Sequence, residues 1–314
     1  MMRRFLIPVV LVLAAATAVS AQDSEQTPPR PDQGRREPVS RLFESWLRGQ
    51  MLLFGNFFQA TEGGEEEGVA VLLAEVGTSV RLTRSGPLRA YGSVNYLRYD
   101  DEALDSSRGF RLGVRSAGRP HAFDVYYDRQ LDRPTFDVGD VFDRADIDRI
   151  AGEYSNRLTR AWQVTVDVER ERQRFDLSPG RDNDFLAAGA AVRYRGWRAL
   201  SPEIGYRAGE REVEDARQSY DQRDLYLQLR GAAGPSIYWS ARYRDRTREY
   251  LTADIASSNF GRADDRHQIA GYVDITLRDR LVLNLYGAWE EVDSNLPRRD
   301  FDTTLFAAGL TYRF

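Results

Sequence analysis

The chain contains no cysteine and no lysine, and only two histidines, His121 and His267, far apart in the sequence. Without cysteine there is no disulfide framework, no thiolate metal site and no cysteine nucleophile. Such a chain also crosses an oxidising compartment without mispairing. With no lysine, all 44 basic residues are arginine, set against 48 acidic ones for a net charge of −4. That balance lacks the basic footprint of a nucleic-acid binder. Also missing is any uncharged apolar run of about 20 residues, and the mean hydropathy is −0.54. A polytopic helical membrane protein is therefore excluded. A membrane β-barrel is not, because its strands hide one apolar face behind a polar one.

The N-terminus reads as a secretory signal over residues 1–21. Arg3 and Arg4 form a basic start, Phe5 to Leu13 and the following alanines an apolar core, and Val19-Ser20-Ala21 a small-residue cleavage site. Residues 22–37 are polar and proline-rich, the composition of a flexible linker. After Pro38, the residues Val39, Leu42, Phe43, Trp46 and Leu47 recur at helical spacing, which predicts a short amphipathic helix in a periplasmic segment 22–48. Two roles are open for it: a plug or membrane-face element, or a lead-in that orders the first strand.

From residue 49 the period changes to two. In Trp162-Gln163-Val164-Thr165-Val166-Asp167-Val168 the even positions are apolar and the odd ones polar, and 269–277 and 281–289 repeat the pattern. Alternation of this kind marks strands with one face in an apolar medium. Candidate strands fall near 49–60, 68–83, 87–99, 108–117, 120–130, 147–158, 161–174, 184–197, 201–210, 222–232, 236–249, 266–278, 281–291 and 301–314. Their connections alternate between short turns and longer, mostly acidic loops. Short periplasmic turns and long outer loops are the mark of an up-and-down barrel in the bacterial outer membrane. The fold class is all-β: a transmembrane antiparallel barrel over 49–314 with about fourteen strands, twelve or sixteen also fitting. A propeller would show a blade repeat, which is absent. A periplasmic sandwich gives no reason for loops that alternate in length. Trp162, Trp239 and Tyr312 fall near the periplasmic strand ends and Tyr243 and Trp289 nearer the outer side, as two aromatic belts would.

The last residues, Phe306 to Phe314, place Leu310, Tyr312 and the terminal Phe314 on one face. This resembles the terminal signature of bacterial outer-membrane proteins, and the resemblance implies recognition by the barrel-assembly machinery. Glu290-Glu291-Val292-Asp293-Ser294-Asn295 followed by Phe301-Asp302 is similar to porin-like barrels encoded with exopolysaccharide gene clusters. That likeness covers about thirty residues and implies a porin-like or export role without fixing a substrate.

If apolar residues face lipid, their neighbours face the lumen. The expected inward set is Arg89, Arg111, Arg115, Arg193, Arg195, Arg207, Arg230, Arg242, Arg244 and Arg313, with Glu75, Asp124, Asp128, Glu153, Asp167, Glu169, Glu203 and Asp274. Two readings follow: a track for anions, or arginines and carboxylates that cross-pair between strands and neutralise each other. Arg193 and Arg195 with Arg242 and Arg244 are the expected unpaired patch, since few inward acids lie near them in sequence. Fourteen strands make a lumen wider than side chains alone readily fill, so it is expected to hold water unless a loop or the N-terminal segment enters it.

No motif for catalysis, a cofactor or a metal emerges. A serine nucleophile needs a base, usually histidine; His267 near Ser219, Asp264 and Asp265 forms no known arrangement. Asp143, Asp146 and Asp148 do not match the calcium-loop spacing and read as solvated surface. The functional expectation is a porin-like channel for small polar or anionic solutes, without enzymatic activity. The alternative is a gated or plugged barrel of an exopolysaccharide or protein export or assembly system. Expected partners are outer-membrane lipid and lipopolysaccharide, the barrel-assembly machinery through the C-terminal strand, and a periplasmic export partner in the alternative case.

Overall fold

A computed structural model describes residues 43–55, 69–83, 87–100, 104–118, 120–135, 143–197, 200–296 and 300–314. Residues 1–42, which hold the expected signal, the expected linker and Val39 and Leu42, lie outside the described residues, as does the first long loop. The described chain forms fourteen strands: β1 Phe43–Gly55, β2 Val69–Arg81, β3 Leu88–Tyr99, β4 Ser107–Ser116, β5 His121–Thr135, β6 Asp143–Arg157 and β7 Trp162–Phe175. They continue as β8 Asn183–Tyr194, β9 Leu200–Val213, β10 Tyr220–Ala233, β11 Ile237–Tyr250, β12 Ala263–Arg278, β13 Leu281–Ser294 and β14 Phe301–Arg313. Each pairs antiparallel with its sequence neighbours, and β1 pairs with β14 to close the barrel.

Closure satisfies every strand's backbone donors and acceptors, which an open sheet edge in hydrocarbon would not. The strand ends that flank 82–87, 117–120, 158–161, 195–199, 234–236 and 279–280 share one rim with Phe43 and Arg313, and the other strand ends form the opposite rim. Following the pairing from Glu44 through Ser79, Tyr91, Gly113 and Tyr126 onward climbs about 16 residues in one circuit. For fourteen strands this gives a tilt of roughly 40° and a backbone radius of about 13 Å.

The expected helix is corrected over its described part. Phe43, Trp46 and Leu47 belong to β1, so the barrel begins at Phe43 rather than at residue 49. Phe43 and Leu47 fit alternation with Met51 and Leu53, all exposed on the outside, while Trp46 lies over Gly77 and Gln50 and Leu52 are buried inside. A helix there would leave the neighbouring edges of β2 and β14 unpaired. The strand instead bonds to both, from Trp46↔Arg313 and Phe43↔Val80 onward.

Elsewhere the outside is the apolar face that the sequence pattern requires. Val166, Val168, Leu186, Ile204, Leu225, Leu227 and Phe306 are each about half exposed on the isolated chain. Such a contiguous apolar surface is stable only against lipid. No described helix is long and apolar enough to cross a membrane; the strands do the crossing.

Candidate lumenal site

Strand alternation sends every second side chain inward, and all the residues expected to face the lumen fall on that register. Arg89, Arg111, Arg115, Asp124, Asp128, Glu153, Asp167 and Glu169 line β3 to β7. Arg193, Glu203, Arg207, Arg230, Arg242 and Arg244 line β8 to β11, with Arg195 one step beyond β8. Glu75, Asp274 and Arg313 lie on the inner face of β2, β12 and β14.

Parity settles the face, but register settles which charges meet. Arg111, directly across from Asp128, donates to it at 2.7 Å. Arg149 lies between Glu169 and Glu171 at 3.2 and 3.0 Å, Arg207 between Asp167 and Glu169 at 3.4 and 3.2 Å, and Arg211 reaches Glu171 at 3.4 Å. Asp224 accepts from Arg244 Nη2 at 3.0 Å and Arg246 Nε at 2.6 Å. Glu203 serves Arg193 and Arg230, and Arg89 meets Glu44 and Ser79. Asp124 accepts from Tyr91, over whose ring Arg115 lies, and Asp274 from Tyr272 and Asn284. In the outer half of the barrel this network is buried: Glu171, Asp224 and Arg246 are no more than 2% exposed.

The expected unpaired patch is therefore corrected. Arg193 sits across from Glu203, Arg244 bonds Asp224, and Arg195 Nη1 donates to Gln163 at 2.9 Å. Sequence distance concealed these partners, because register brings together residues on different strands.

Arg242 alone of the four departs from this pattern. Among the described residues it has neither ion pair nor hydrogen bond, and its Nε is buried without a partner. Its guanidinium stacks 4.1 Å from the centroid of Tyr226. Tyr226 in turn lies over Gly205, its register partner on β9, where a Cβ would overlap the ring. Tryptophan finds the same accommodation at Trp46 over Gly77.

Sequence reasoning missed one feature of the lumen. On β1 to β3 and β12 to β14 the inner face carries a buried apolar cluster: Leu52, Val71, Leu73, Tyr99, Tyr272, Tyr286 and Leu305, joined by Leu104 from the connection after β3. The signal was present in Val69-Ala70-Val71-Leu72-Leu73-Ala74, where alternation gives way to a continuous apolar run. A strand apolar on both faces reads that way.

The remaining candidates do not converge. His121 bonds Tyr154 on the outside, and His267 stands outside beside Tyr243 and Asp245, at 3.3 Å from each. Ser219 accepts from Val213 N instead of meeting a histidine. Asp143 points inward while Asp146 and Asp148 point outward to Arg129. Leu310, Tyr312 and Phe314 share the lipid-facing side. Phe314 closes the seam through reciprocal backbone bonds with Ser45, at 3.0 and 3.2 Å.

No protein-family model and no curated protein sequence matches the chain. Among solved structures it is similar to a bacterial polysaccharide outer-membrane secretin, at 13% identity over 87% of this chain and 98% of that one, with a TM-score of 0.50. It is also similar to a loop L8 deletion mutant of OmpT from Vibrio cholerae (11% identity, 87% and 98% covered, TM-score 0.48). A third is the outer-membrane protein opdK from Pseudomonas aeruginosa (11%, 87% and 99%, TM-score 0.44). At these identities the likeness is one of fold. With its closed sheet and apolar exterior, the chain is a fourteen-stranded β-barrel of the outer-membrane type, similar in fold to a bacterial polysaccharide outer-membrane secretin.

Proposed function

We propose that the protein is a porin-like channel for small polar solutes, with anions favoured over cations. The observation that supports this most directly is the inner wall of β8 to β11. It carries Arg193, Arg207, Arg211, Arg230, Arg242, Arg244, Arg246 and Arg248 against Glu203 and Asp224. Confined charge of one sign biases which ions enter a pore. The β6–β7 wall supplies Asp167, Glu169 and Glu171 as partners to some of these arginines, which tempers the bias without reversing it.

The test is single-channel recording of the refolded mature chain in a planar bilayer under a KCl gradient. Stable open steps with a reversal potential on the anion side are expected. Stable steps that prefer cations would overturn the anion preference. A folded barrel without steps would overturn the open channel in favour of a gated barrel of a polysaccharide export system. The burial of Glu171, Asp224 and Arg246 across the outer half is the observation that favours this second reading. Outer-membrane glycolipid surrounds the barrel in either case, and the outward Leu310, Tyr312 and Phe314 supply the face offered to the assembly machinery. Removal of Phe314 is expected to lower the yield of assembled barrel in cells while leaving refolding in detergent largely intact.

A further inference from the structure

We infer that Arg242, held on Tyr226, is the point in the lumen where a solute carboxylate binds, and that it sets the charge selectivity of the channel. The inference rests on the channel reading above and specifies the solute group that the wall recognises. The inward arginines around it are engaged: Arg244 with Asp224, and Arg230 with Glu203. Arg242 stands between these two groups on the same wall, two residues before Arg244 on β11 and across from Gln228 on β10. Among the described residues it makes neither an ion pair nor a hydrogen bond.

Its geometry is that of a prepared donor. Stacking on Tyr226 fixes the guanidinium plane, and Gly205 leaves the space in which the tyrosine ring lies. The Nε is buried without a partner, and the two Nη groups make no hydrogen bond among the described residues. An end-on pair of N–H donors in a fixed plane matches the two oxygens of a carboxylate. A ring-stacked guanidinium also loses less side-chain freedom on binding than an unrestrained one. Tyr226 acts as a positioning residue, and Gly205 allows it that place.

Two readouts keep the binding site and the channel separable. The first is the anion-to-cation permeability ratio in KCl, together with saturation of conductance in potassium acetate. The second is saturation-transfer NMR of acetate on the detergent-folded barrel, which needs no current. Wild type is expected to favour anions and to saturate with acetate. Arg242→Gln is expected to lower the permeability ratio at least threefold and to abolish both the saturation and the transfer signal. Arg242→Lys keeps the charge and part of the ratio but loses saturation. Gly205→Val, which displaces Tyr226, weakens acetate transfer with Arg242 still present. A folded Arg242→Gln barrel with an unchanged acetate signal overturns the inference, whether or not it conducts. Equal acetate transfer in Gly205→Val overturns the positioning role. A silent barrel with Arg242-dependent transfer would sink the channel reading and leave the site standing.

Discussion

Asp224 is the clearest place to ask whether the outer half of the lumen is as dry as its geometry requires. Its carboxylate is 1% exposed and accepts from Arg244 Nη2 at 3.0 Å and Arg246 Nε at 2.6 Å, both arginines being almost wholly buried. A hydrogen bond to a charged group contributes about 1.5–3 kcal/mol. Breaking a buried ion pair by removing one partner costs roughly 3–5 kcal/mol, because the other charge stays buried. One carboxylate here serves two guanidiniums, so Asp224→Ala belongs near the top of that range, about 4–5 kcal/mol. Asp224→Asn keeps one carbonyl acceptor and should lose about half as much. Adding Arg246→Leu to Asp224→Ala removes one of the stranded charges and should recover roughly half of the loss. The measurement is equilibrium urea unfolding of the refolded barrel in lipid vesicles, followed by tryptophan fluorescence. An exposed surface pair is worth only about 0–1 kcal/mol. A loss below ~1 kcal/mol for Asp224→Ala would thus show that water reaches this level, and the reasoning from burial would fail.

Three further outcomes are expected. Val166→Arg places a charge near the middle of the lipid-facing side of β7 and should destabilise the barrel by about 2–4 kcal/mol in the same unfolding assay; a neutral result would mean that the face had been misassigned. Gly77→Val drives Trp46 off its seat, at a cost of about 1–3 kcal/mol and with a change in tryptophan emission; unchanged emission would refute the interlock. In the loop before β10, hydrogen bonds from Arg217 hold Asp215 below the ordinary aspartate range. The Asp215–Arg217 pair thus gains stability above the unfolded aspartate pKa and loses it as pH falls through the lower folded value. Arg217→Ala should raise the Asp215 midpoint in a carbon-detected NMR titration, and an unmoved midpoint would show that the pair does not form.

The sequence by itself determined the barrel class, narrowed the strand number to about fourteen with twelve or sixteen still open, and set the face of nearly every strand residue. The reason is that a strand crossing lipid must alternate, so side-chain direction is a property of parity alone and needs no knowledge of neighbours. Arg193 and Arg242 could be placed on the inner wall in this way. What parity cannot carry is register, and with it which residues of different strands stand opposite one another. Only the tertiary structure set Glu203 across from Arg193, gave Asp224 to Arg244 and Arg246, and left Arg242 to the ring of Tyr226. It also decided the first strand. Phe43, Trp46 and Leu47 satisfy a helical period, whereas in the strand only Phe43 and Leu47 share a face and Trp46 turns inward; the choice fell to β2 and β14, whose backbone groups need a partner at the seam. The apolar inner cluster around Leu52, Leu73 and Tyr286 belongs to the same class of fact. Each of its residues follows the alternation of its own strand, but their meeting depends on how a tilted sheet closes on itself.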